Sequence, residues 1–323
     1  MKKLYIVLIY LGLLNCVSAQ DPHFSQFYAN PIYLAPSFAG GSDGPRFVLN
    51  FRDQWPKVPG NYITYAFSAD HYLADFNSGL GLFFVSDNAG NGKLVTTNIG
   101  AAYSYKVKIS SDIVFQPGLS AYYYSRYVDY NAVEFFSQLD NASPPQDLPI
   151  DKVQHADFAI SALAYLENYW FGFNVDHLMN ISPILRNDYR YTNMKISLFG
   201  GYQYQLGSRT RNKYNEHIHM AFNYYYQSQA HQLDVGGYYS RNPFIVGLWY
   251  RGIPVGNEIF SADAIIFMGG IKYSNYTFSY SYDMTIGNLI SHTGGSHEIS
   301  LIYSINSKLT GKKKYKAIPC PHF

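Results

Sequence analysis

The chain has only two cysteines in 323 residues, and only 14% of its residues are charged, against about 25% in an average soluble protein. Cys16 sits inside an apolar leader, so removal of the leader leaves Cys320 alone and excludes an internal disulfide. Past the leader, no segment approaches the roughly 20 consecutive apolar residues of a spanning helix, which excludes a helical membrane protein. Local catalytic signatures are missing too. There is no Ser-centred elbow, no H-E-x-x-H and no Gly-rich phosphate loop before a helix. The formal net charge of +2 makes no case for nucleic acid, and none is expected as a partner.

What the chain has in excess is aromatic side chain: 33 Tyr and 22 Phe, with aromatics at 18% of all residues. Tyr and Trp collect where one end of a side chain is apolar and the other wet, as at a membrane interface. These rings recur with a period of two. In "YTFSYSYDMTI" (276–286) Tyr, Phe, Tyr, Tyr and Met alternate with Thr, Ser, Ser, Asp and Thr. "IHMAFNYYY" and "HEISLIYSI" alternate in the same way. A period of two sorts residues onto the two faces of a β-strand. A soluble sandwich would need polar outer faces and protected edges. A closed barrel has no edges, and a bilayer accepts the aromatic face.

Fourteen such runs follow from Arg46 onward, at 46–52, 61–70, 79–86, 94–108, 112–126, 156–166, 169–176, 194–206, 216–227, 231–240, 243–251, 261–272, 275–285 and 297–306. Tight connections near 110–111, 167–168, 241–242 and 274–275 fall on one side, and the long ones, 127–155, 177–193 and 287–296, on the other. Short turns on one rim and long loops on the other are the outer-membrane pattern. The fold expected is all-β: a transmembrane antiparallel β-barrel of about 14 strands, with an N-terminal arm or plug segment. With the aromatic face toward lipid, replacing Phe278 or Leu301 by Arg should hinder assembly more than replacing Ser279 or Ser300.

The expected organisation is a signal peptide (1–19), an N-terminal arm or plug (20–44), the barrel (45–306) and a basic periplasmic tail (307–323). Lys2 and Lys3, the apolar run at 4–14 and the small residues Val17, Ser18 and Ala19 mark cleavage after Ala19. Asn15 is a poor neighbour for a lipidated Cys16, so lipidation is the lesser alternative. Pro22, Pro31 and Pro36 argue against a regular strand or long helix in the arm.

His217 and His219 share a strand face but lack a nearby Cys or carboxylate to complete a metal set, so no metal site is expected. His297 and Glu298 are adjacent and point to opposite faces, so they are no acid–base pair. A lipase with Ser and His on different strands would leave no local signature and is a minor alternative. In the longest loop, Tyr130, Phe135, Phe136 and Leu139 stand among acidic residues, which suits either a protein-docking surface or a loop folded back over the barrel mouth. The tail carries Lys312, Lys313, Lys314 and Lys316. It reads as either a solvated basic end or a dock for a periplasmic partner, anionic lipid or cell-wall polymer.

Five segments resemble one family. "QDPHFSQFYANPIYLAPSFAG" (20–40) is similar to the mature start of the PorP/SprF outer-membrane proteins of the gliding-associated type IX secretion system. "FRDQWP" (51–56), "YSYDMTI" (280–286), "GGSHEISL" (294–301) and the terminal "PCPHF" resemble its later landmarks. The resemblance spans nearly the whole mature chain and is weakest at 127–193. It implies a barrel without enzymatic activity or cofactor, serving secretion or surface attachment of particular cargo. That cargo is adhesin-like and carries a type B C-terminal sorting domain. Other type IX components and outer-membrane lipid are the further partners implied. The rival reading is an outer-membrane transporter or channel for lipid or a hydrophobic solute.

Overall fold

The computed structural model describes residues 21–42, 44–90, 94–128, 152–180, 193–206, 216–228, 230–253, 261–286 and 293–305. Among the described residues, fifteen strands form one sheet: β1 Arg46–Gln54, β2 Tyr62–Leu73, β3 Ser78–Ala89, β4 Leu94–Tyr105, β5 Val107–Lys108, β6 Val114–Val128, β7 Lys152–Tyr165 and β8 Tyr169–Asp176. They continue as β9 Lys195–Gln205, β10 His217–Gln227, β11 Ala230–Arg241, β12 Phe244–Ile253, β13 Ser261–Tyr273, β14 Tyr276–Thr285 and β15 Ser296–Ser304. Each long strand pairs antiparallel with its sequence neighbour, β4 pairs with β6 past the two-residue β5, and β1 pairs with β15. The sheet is therefore a closed barrel of fourteen long strands plus one short one. Closure satisfies the backbone groups that an open edge would leave unpaired in lipid.

The alternation read from the sequence is the alternation of burial. β14 runs exposed–buried from Tyr276, and Phe278 is 48% exposed while Ser279 is fully buried. On β15 Leu301 faces out and Ser300 in. Phe, Leu, Ile and Tyr dominate the exposed face, and Ser, Thr, Asn and charged residues dominate the inner face. The inner face is covered from within, however. The expectation that Arg at Phe278 or Leu301 hinders assembly more than Arg at Ser279 or Ser300 loses its premise of an open lumen, because a segment of the same chain occupies the lumen and packs against both strands.

That segment is 21–42. It holds a 3-10 turn at Phe27–Ala29, one helical turn at Pro31–Leu34 and a second 3-10 turn at Pro36–Phe38. Pro31 and Pro36 each open a turn, where the missing N–H costs nothing. The chain enters the lumen at Asp21 near the rim where β9 begins and β10 ends, called here the far rim. It descends to the near rim, where β1 begins. Its apolar residues meet the wall on every side. Phe24 packs on Ala66 and Val85, and Phe27 and Tyr28 on Tyr238, Trp249 and Met268. Ile32 and Ala39 pack on Phe83, Ala102 and Tyr122, and Phe38 on Leu163, Trp170 and Phe199. Tyr28 stacks on Trp249 with ring centroids 5.1 Å apart.

The near rim makes room for the segment through glycine. A Cβ on Gly79 would collide with the Ala39 carbonyl, and one on Gly118 with the Ser37 backbone. The leader 1–19 and the tail 307–323 lie outside the described residues.

Candidate functional site in the barrel lumen

Inward-facing charges on five strands converge on Ser25 and Gln26. Arg52 of β1 donates to Asp283 of β14 (Nη2–Oδ2 2.9 Å) and to Glu298 of β15 (Nη1–Oε2 3.2 Å). Arg251 of β12 donates to Asp234 of β11 through Nε at 2.9 Å and to Asp283 through Nη1 at 2.9 Å. Ser25 fills the gap between them. Its hydroxyl accepts from both guanidiniums and donates to Asp283. The Ser25 and Gln26 backbone N–H groups donate to the two oxygens of Glu298 at 2.7 and 3.0 Å. Gln26 Nε2 donates to Ser281 Oγ at 3.1 Å, and Ser279 Oγ donates to Gln26 Oε1 at 2.6 Å. Every ion in this set is buried to within 2% exposure. Buried charge is tolerated only when fully paired, and here the inserted segment supplies part of the pairing.

A second cluster holds the segment's first described residue. His177 follows β8 in the left-handed region (φ 59°), which turns its side chain into the lumen beside that of Asp176. Its Nε2 lies 2.8 Å from Asp21 Oδ2 and its Nδ1 lies 2.8 Å from Asp157 Oδ2. The Tyr122 hydroxyl donates to Asp176, the Asp21 N–H donates to Gln227 Oε1 at 3.0 Å, and Lys195 Nζ stands 3.7 Å from Asp21. Burial works to lower the His177 pKa, but Asp21, Asp176 and Asp157 outweigh it and hold the imidazole well above its ordinary value. Burial pushes the Asp21 carboxyl up, yet His177 and Lys195 hold it below the usual carboxylate range.

At the near rim Arg46 forks onto Asp70 (Nε–Oδ1 2.8 Å, Nη2–Oδ2 3.1 Å), and the Gly40 N–H donates to the same carboxylate at 2.9 Å. Gln116 Nε2 and Ser104 Oγ both donate to the Ala39 carbonyl, at 3.0 and 2.8 Å. Beside the segment a cavity of about 30 Å³ is lined by His23, Asn30, Lys195, Asn223 and Asp234, room for one or two waters. Three polar locks and an aromatic interlock thus hold the segment along the depth of the lumen.

A family profile described as type IX secretion system membrane protein PorP/SprF matches residues 16–303. The chain belongs to the PorP/SprF family. With the closed barrel, this membership assigns it to the outer membrane. No curated protein matches the sequence. Among solved structures, the chain is similar to KdgM porin at 11% identity and a TM-score of 0.37, covering 80% of this chain and 99% of that one. CdiB from Acinetobacter baumannii matches at 8% identity and a TM-score of 0.44, covering 81% and 60% respectively. A mutant Rh. blastica porin matches at 9% and 0.35, covering 81% and 98%.

Four of the five family landmarks contribute to the lumen site. Asp21, Ser25 and Gln26 come from the opening segment, Arg52 from "FRDQWP", Asp283 from "YSYDMTI" and Glu298 from "GGSHEISL". Sequence reasoning put Asp283 on the polar strand face and weighed Glu298 only beside His297; it did not bring these residues together. The available signal was their charge at inward parity on strands whose other inward residues are Ser, Thr and Asn. Tyr130, Phe135, Phe136 and Leu139 lie outside the described residues, as do Lys312, Lys313, Lys314 and Lys316. His217 and His219 do share a face, with rings 5.8 Å apart. Gln203 meets His217 at 3.0 Å, and His219 stacks on Tyr238 at 4.3 Å. His297 meets the exposed Tyr280 hydroxyl while Glu298 faces the lumen, so the two are on opposite faces.

Proposed function

We propose that this PorP/SprF protein is a non-enzymatic partner of type IX secretion, needed for secretion or cell-surface anchoring of adhesin-like cargo with a type B C-terminal sorting domain. The observation that carries the reading is the filled lumen. A barrel whose interior is locked by its own N-terminal segment has no room for a polypeptide or a solute, so its work is done at its rims. The far rim bears the long connections, 129–151 among them, and is the cell-surface side by the loop-length rule. Cargo would dock there through Tyr130, Phe135, Phe136 and Leu139. Lys312, Lys313, Lys314 and Lys316 would meet periplasmic or cell-wall partners on the other side.

The test is to isolate the tagged full chain from outer membrane and identify what copurifies. Secretion components and a surface protein with a C-terminal sorting domain are expected. Lipid held in the lumen with no protein partner would overturn the proposal in favour of a transporter. A variant shortened between residues 131 and 149 should assemble normally and lose the cargo. Undiminished copurification would remove that loop from the recognition site.

A further inference from the structure

We propose that Asp21, Asp176 and His177 form a binding site for one divalent transition-metal ion of the zinc class, which staples the N-terminal segment to the barrel wall. One ligand atom from each of the three residues lies within 4.8 Å of the others. The closest pair, His177 Nε2 and Asp21 Oδ2, is 2.8 Å apart. Two ligands on a tetrahedral zinc ion with bonds of roughly 2.0 Å stand about 3.3 Å apart, so the ion needs an opening of about half an ångström. Imidazole with carboxylates, and a fourth position for water, is a zinc-type donor set.

Two further features suit an ion. A metal-bound histidine usually donates its second ring N–H to a carboxylate, which fixes the tautomer that presents the other nitrogen. Asp157 occupies that place, 2.8 Å from His177 Nδ1. Charge agrees as well. Asp21, Asp157 and Asp176 put three carboxylates around one ring, with Lys195 Nζ 3.7 Å from Asp21 and His155 Nε2 3.5 Å from Asp157. This excess of carboxylate favours a dication beside a neutral imidazole. The backbone at His177, at φ 59°, is what lets consecutive residues turn to the same side, whereas strand neighbours point apart.

The test is zinc binding to the full chain, refolded without a histidine tag and checked for closure by heat-modifiable gel mobility. Equilibrium dialysis with elemental analysis should find one zinc per chain, saturating at one equivalent. His177→Gln should abolish it. Asp157→Asn, which spares the ligands, should weaken it by roughly 10- to 100-fold. Zinc at buffer background in the folded wild type, or unchanged zinc in folded His177→Gln, overturns the site. If His177→Gln does not assemble, Asp157→Asn decides, and wild-type affinity in that variant counts against the proposal.

Discussion

Arg52 reaches Asp283 across 231 residues of chain, Nη2 to Oδ2 at 2.9 Å, with the Ser25 hydroxyl bonded to both. The contact ties the first strand, the penultimate strand and the inserted segment at one point. Arg251 shares the same carboxylate oxygen, so two guanidiniums compensate Asp283.

Replacing Arg251 by Leu leaves Asp234 and half of the Asp283 pairing uncompensated in a buried site. Breaking such a pair from one side costs about 3–5 kcal/mol. The variant should unfold at lower urea concentration, read from the gel-mobility shift of the closed barrel. Wild-type stability would show that the lumen is hydrated enough to screen the charge.

Conductance in planar bilayers tests the plug itself. The wild-type barrel should pass almost no current. Gly118→Val puts a side chain where the Ser37 backbone runs, so it should displace the segment and give open-channel events while the barrel stays closed. Gly269→Val is the control, since a Cβ there meets nothing within 4 Å. Equal currents in both variants would mean that the segment is not what blocks the pore.

Arg at Phe278 should hinder assembly by about 2–4 kcal/mol at mid-bilayer, measured by folding into vesicles. Arg at Ser279 should do comparable harm for another reason, since Ser279 is fully buried against Gln26. Its effect should disappear in a chain lacking 24–40, whereas the Phe278 effect should persist. A tolerated Ser279→Arg in the full chain would show that the lumen is roomier than described.

Mass spectrometry of the membrane-extracted protein should find Gln20 as the first residue, one position before the anchored Asp21. Diacylglycerol on Cys16 would overturn that cleavage site.

Strand number, span and facing were legible in the sequence because they are local. A period of two needs only neighbouring residues, and the run at 169–176 coincides with the observed strand residue for residue. Prolines 22, 31 and 36 announced an irregular arm for the same reason. The lumen lock was illegible because its members are far apart in sequence. Asp21 and His177 are separated by 156 residues, and Arg52 and Glu298 by 246. Inward parity alone marks a position as wet or packed without saying which. Only closure of the sheet, which brings β1 against β15 and surrounds the arm with wall, turned a row of scattered inward charges into partners for one buried segment.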